Sequence, residues 1–201
     1  MLKTFRESLC AGILITIGGT VFLSCENKTV GAVLFTVALL CICCKGYYLF
    51  TGKIGYITEQ HKKDDVINLI IGLCGNLICT LLLGMMLKAV LPDIGAKAVQ
   101  MCEAKLLQNP LHTFIRGSFC GVLMYLAVSI YKEKKSVIGI IFCVPVFILC
   151  GFEHSIADMY YFGASGIFSM RIISFMLLVI AGNTVGAVIL PLLKGVRKNE
   201  E

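Results

Sequence analysis

The sequence predicts an all-α integral membrane protein: six transmembrane helices in an inverted 3+3 repeat. Three observations carry this. The composition is 58% apolar against 15% charged, with a mean hydropathy of +0.88, well above a soluble domain. Six apolar stretches of about 20 residues, the length a bilayer core demands, follow one another with short connections. The motifs of the first half return in the second at an offset near 105 residues.

The apolar stretches run over 9–24, 30–50, 66–91, 113–131, 137–152 and 168–193. In 201 residues no soluble domain of useful size fits beside them, so residues 1–201 are expected to form one membrane domain. Repeat one takes about 1–91 and repeat two about 111–195. The opening Met1-Leu2-Lys3 resembles a signal peptide, but no small-residue cleavage site follows and the segment is expected to stay as a span.

The net charge of +6 follows from membrane topology and implies no nucleic acid, because Lys and Arg gather in cytoplasmic loops. With the N-terminus inside, that side collects Lys3, Arg6, Lys53, Lys62, Lys63, Lys132, Lys134, Lys135, Lys194, Arg197 and Lys198. The outer side keeps Lys28, Lys88, Lys97, Lys105, Arg116 and Arg171. The expectation is an inner (plasma) membrane protein with both termini cytoplasmic. The 11 Cys are scattered through the spans without paired CxxC spacing, so neither metal, cofactor nor disulfide is expected.

Span two ends in Gly46-Tyr47-Tyr48-Leu49-Phe50-Thr51-Gly52 and span five in Cys150-Gly151-Phe152-Glu153-His154-Ser155. Span three carries Gly75-Asn76 and span six Gly182-Asn183. Three spans cannot reach their own repeat in the same orientation, so the halves are inverted, which places a site near the membrane midplane. Glu153 and His154 stop an apolar run, and ionisable groups at membrane depth usually face a pore or a polar partner. Thr51 offers a hydroxyl at the matching break. A broken helix also frees backbone N–H groups that attract anions. The alternative is an interfacial loop beyond span five.

The run Gly151-Phe152-Glu153-His154-Ser155-Ile156-Ala157-Asp158-Met159 resembles the Gly-Phe-Glu-His-Ser-(Ile/Val)-Ala-Asn-Met signature of the formate/nitrite transporter family. Leu49-Phe50-Thr51, Gly75-Asn76-Leu77, Ala104-Lys105, His112-Thr113-Phe114-Ile115-Arg116-Gly117 and Gly182-Asn183 fall in the family's order, so the resemblance spans nearly the whole chain. It implies an aquaporin-like fold of six spans with helices two and five broken, assembled as a homopentamer with one pore per protomer. It also implies passage of small monovalent anions such as formate, nitrite, hydrosulfide or lactate. In that picture His154 stands between two apolar constrictions, one lined by Phe35, Leu39 and Leu49, the other partly by Phe147. Thr51 faces His154, Asn76 and Asn183 hold the broken segments, and Lys105 draws anions into the outer vestibule. An anion crossing apolar walls loses hydration that its neutral acid does not, and a histidine, with an ordinary pKa near 6.5, suits proton sharing there.

Several residues depart from the family pattern. Lys45 lies in the second apolar stretch and either lines the pore or snorkels or pairs with a carboxylate such as Glu153. Asp158 replaces the signature Asn; one turn after His154 it either favours a charged imidazole or is solvated at the outer mouth. Gly121 stands where relatives commonly carry Asn. The chain opens almost at span one, which puts gating by a longer N-terminal segment in doubt. His61 and His112 read as solvated. The competing functions are an aquaporin-like channel for a neutral solute or ammonium, a membrane enzyme using Glu153 and His154, and a structural subunit. The first lacks paired pore histidines or Asn-Pro-Ala loops, and the second lacks further catalytic groups.

Overall fold

A computed structural model describes residues 1–58 and 62–195, so His61, Arg197 and Lys198 lie outside the described residues. The described chain is helical throughout: α1 (Leu2–Ser24), α2 (Lys28–Lys45), α3 (Phe50–Lys53) with a 3-10 turn (Ile54–Thr58), α4 (Lys63–Val90), α5 (Pro92–Leu106), α6 (Pro110–Lys134), α7 (Ile138–Leu149), α8 (Ser155–Ser165) and α9 (Met170–Lys194). Five of these, α1, α2, α4, α6 and α9, are long and apolar enough to cross a bilayer, and α7 is a shorter apolar helix. Large apolar side chains such as Ile70, Leu82, Phe142 and Leu177 point outward, as expected of faces in contact with lipid or another membrane protein.

Local chemistry sets the boundaries. Asn27 caps α2 by accepting from Thr29 N–H (2.9 Å) and Val30 N–H (3.1 Å), and Ser169 caps α9 through Arg171 N–H (3.1 Å). Asn109 caps α6, whose first residue, Pro110, has no N–H to lose. The second apolar stretch stops at Lys45 rather than 50, because Gly46 takes a left-handed conformation (φ 72°). Tyr47 N–H then bonds back to Ile42 C=O (3.0 Å), closing a Schellman-type end. The same device recurs 105 positions on: Gly151 has φ 67° and Phe152 N–H bonds Phe147 C=O (2.9 Å). Both breaks are therefore built by a glycine.

Residues 92–110, expected as a plain connection, form the amphipathic helix α5 over most of their length. Lysines tie neighbours to the carbonyl ends of helices, where the dipole favours cations: Lys88 donates to Ser165 C=O (2.8 Å) and Lys97 to Leu23 C=O (2.9 Å). The helices α6 and α9 meet backbone to backbone through Gly117, Gly121, Gly182 and Gly186; a Cβ at Gly121 would stand 2.9 Å from Ala187 N. Gly121 is thus a packing residue.

Candidate functional site

Both breaks are latched by an asparagine. Asn76 on α4 is buried; its Oδ1 accepts from Phe50 N–H (2.9 Å), and its Nδ2 donates to Tyr48 C=O (2.9 Å) and Ser8 C=O (2.8 Å). Asn183 on α9 does the same for the second half. Its Oδ1 accepts from Ser155 N–H (2.9 Å), and its Nδ2 donates to Glu153 C=O (2.8 Å) and Gly117 C=O (2.9 Å). Each satisfies backbone groups that a chain break inside an apolar environment would otherwise strand at a cost of several kcal/mol.

Between the latches, Thr51 and His154 meet: Oγ1 and Nε2 are 2.9 Å apart, and both residues are buried. The ring's other nitrogen is engaged as well. Nδ1 accepts from Ala157 N–H (3.1 Å), making His154 the N-cap of α8. An Nδ1 that accepts carries no proton, so the neutral ring holds its hydrogen on Nε2 and donates it to Thr51. The freed N–H groups expected at the break are mostly taken: Ser155 N–H by Asn183, Ala157 N–H by the imidazole and Asp158 N–H by His154 C=O (2.8 Å).

Phe147 stacks on the imidazole at 5.6 Å between centroids and meets Phe35 edge-on at 6.3 Å. Two cavities flank this group. The larger, about 240 Å³, is lined by Phe35, Phe147, His154, Lys105, Glu153 and Asp158 among others. The smaller, about 160 Å³, is lined by Leu39, Leu49, Gly52, Lys53, Lys132 and Lys135 among others. Phe35 thus shares a cavity with Phe147 and separates from Leu39 and Leu49, with which it was grouped. The reason is geometric: Phe35 and Leu39 share one face of α2 but stand a helical turn apart, about 5–6 Å.

Lys105, expected as an open vestibule cation, has a side chain only 13% exposed and is spoken for. It pairs with Glu153 Oε2 and with Asp158 Oδ1 (2.9 Å). Burial would lower its pKa, but the Asp158 and Glu153 carboxylates outweigh burial and raise it above the ordinary lysine value. Gln108, which the sequence does not single out, donates from Nε2 to Glu153 Oε1 (2.7 Å). Asp158 is 2% exposed, so it is a buried partner of Lys105 and not a solvated residue of the mouth. Lys45 is exposed at the C-terminal end of α2, lines neither cavity, and does not pair with Glu153. The lysines that do line the smaller cavity are Lys53, Lys132 and Lys135. No cluster of metal-ligand type occurs among the described residues.

The sequence model of the formate/nitrite transporter family matches residues 1–194. The chain belongs to the formate/nitrite transporter family. As a family of multi-span transporters with several apolar helices here, this makes it a multi-pass membrane protein. It is 29% identical to the transporter YwcJ of Bacillus subtilis (strain 168) over 185 residues, covering 82% of this chain and 72% of that one. It is also 29% identical to the formate channel FocA of Escherichia coli (strain K12), over 79% of this chain and 65% of the relative. With the nitrite transporter NirC of the same strain the identity is 27%, over 76% and 62%. The chain therefore spans a little under two thirds of the latter two. Among solved structures, a pentameric formate channel with formate bound superposes with TM-score 0.82 at 23% identity, over 96% of this chain and 95% of the other. A formate/nitrite transporter family ion channel gives TM-score 0.78 at 21% identity, over 94% and 85%. The fold is the fold of these channels.

Proposed function

We propose that this formate/nitrite transporter family member is a channel for small monovalent weak-acid anions of the formate, nitrite or hydrosulfide class, and not an enzyme. It works in the inner membrane as a homopentamer, each protomer one membrane domain (1–201) with its own pore. The observation that carries this reading is the Thr51–His154 hydrogen bond, made where both helical breaks meet and flanked by a cavity on each side. The matching of Gly46 with Gly151, and of Asn76 with Asn183, supports an inverted repeat about 1–91 and 111–195. Family members FocA and NirC, named for formate and nitrite, supply the anion class.

Phe35, Phe147, Leu39 and Leu49 form apolar walls that a hydrated ion cannot pass without shedding water. His154 Nε2–H, held toward Thr51, is the central donor that replaces part of that hydration. Proton-linked passage uses the same ring: the anion takes a proton at His154 and crosses the walls as its neutral acid. Lys53, Lys132 and Lys135 around the smaller cavity support its assignment to the cytoplasmic side, with both termini there. The test is purified protein in liposomes, against protein-free vesicles, with formate, nitrite, hydrosulfide, lactate and chloride. Flux of one or more weak-acid anions is expected. Flux of a neutral solute alone, or none at all, overturns the reading, and proton-coupled uptake unchanged in His154→Phe removes the imidazole from proton transfer.

A further inference from the structure

The buried cluster beside His154 has one cation too few. Lys105 faces two carboxylates, Glu153 and Asp158. Fully ionised, the trio of Lys105, Glu153 and Asp158 carries a net negative charge on the wall of a cavity read above as the route of an anion. Glu153 has both oxygens engaged, by Lys105 and Gln108. Asp158 has one: Oδ1 bonds Lys105, while Oδ2 is buried with no hydrogen-bond partner among the described residues. An ionised oxygen there only accepts, and repels an anion. Protonated, it becomes a donor within the wall of that cavity, and the trio becomes neutral.

We propose that Asp158 turns the wall of the His154 cavity into a joint site for one proton and one small anion, so that anions are admitted past Lys105 when the Asp158–Glu153 pair carries a proton. This rests on the channel reading and deepens it. The proton sits on Asp158 Oδ2, the carboxyl oxygen without a partner. No bond of the permeating ion changes at this site; the proton and the anion are held side by side. The other ionisable groups facing Asp158 are Cys102 on α5, Cys120 on α6, Tyr161 on α8 and the neighbouring His154. None of them offers a second buried cation. Arg116 also lines the cavity but is exposed, so solvent screens its charge. One uncompensated charge about 6 Å from an ion, at an effective dielectric of about 20, changes local anion concentration by on the order of a hundredfold.

The experiment measures initial nitrite uptake into liposomes between about pH 5 and about pH 8, where nitrite is mostly ionised, less the uptake of protein-free vesicles at each pH, which removes passage of the neutral acid through lipid. Wild-type uptake should rise steadily as pH falls. Asp158→Asn should be at least about tenfold faster than wild type at the alkaline end, with a profile close to flat. If Asp158→Asn does not assemble, Asp158→Ser, which also removes the charge, carries the same expectation. Wild-type rate and slope in the Asp158 variant overturn the proposal while leaving the channel reading intact. Absence of uptake of every anion by the wild type at every pH sinks the channel reading itself.

Discussion

Replacing Asn183 by Ala removes three hydrogen bonds at once, from Ser155 N–H and to Glu153 C=O and Gly117 C=O. All three lie at a residue only 1% exposed, so water does not replace them. Interhelical hydrogen bonds in membrane proteins average only about 0.6 kcal/mol when cut singly, which puts the floor near 2 kcal/mol. Stranding a buried backbone group costs about 1–3 kcal/mol, and three such groups at the low end give about 3 kcal/mol, so the loss is expected at about 2–3 kcal/mol. For a chain of this size each kcal/mol moves the melting temperature by about 2–4 °C, giving a drop of roughly 4–12 °C. The assay is thermal unfolding in detergent at one fixed scan rate, since unfolding of such proteins is often irreversible. Anion uptake is measured on the same preparations. Asn76→Ala, which loses bonds to Phe50, Tyr48 and Ser8, should fall by a similar amount. A melting temperature within about 2 °C of wild type, with undiminished uptake, would refute the latch.

His154→Ala should lose the α8 cap and about 1 kcal/mol, read as a melting shift of about 2–4 °C, whereas His154→Asn should recover most of it because Asn caps well. Phe147→Ala deletes a buried ring lying against both His154 and Phe35; it should cost about 3–5 kcal/mol and raise chloride passage above that of the wild type, measured by chloride efflux. Lys45→Ala, at an exposed position lining neither cavity, should stay within about 0.5 kcal/mol and keep the anion selectivity of the wild type.

What was legible in the sequence was whatever one helix or one repeat carries by itself. Gly46 and Gly151 announce the breaks, and Asn76 and Asn183 fall at matching offsets, so their latching role follows from the repeat and the resemblance together. Pairings across elements were not legible. Lys105 and Glu153 are 48 residues apart, and nothing in spacing says that the lysine's charge is consumed by Glu153 and Asp158. The helix α5 stayed hidden because it is amphipathic and shorter than a span, so a search for apolar stretches passes over it, although Pro92 at its start is a helix signal. Phe35 was assigned to the wrong neighbours because α2 fixes its face but not its depth against α7, which supplies Phe147.

His154 unites the break and the chemistry, and this constrains any proton-coupled mechanism. Its Nδ1 holds the first turn of α8 and its Nε2 holds Thr51, so neither nitrogen has a free lone pair. Protonating Nδ1 turns the acceptor into a donor aimed at another donor, Ala157 N–H, and the cap must open. Delivering the Nε2 proton to an anion leaves an imidazolate unless Nδ1 is protonated first or at the same time. Proton transfer through this ring is therefore coupled to movement of the start of α8, the segment that also carries Asp158. Hydrogen-bond donation from Nε2–H needs no such movement, only a swing from the Thr51 hydroxyl to the ion. A channel that passes ions quickly is served by donation; obligatory proton coupling requires the slower step at α8. The turnover of a proton-coupled mode should then respond to substitutions that stiffen or loosen the first turn of α8, and the uncoupled mode should not.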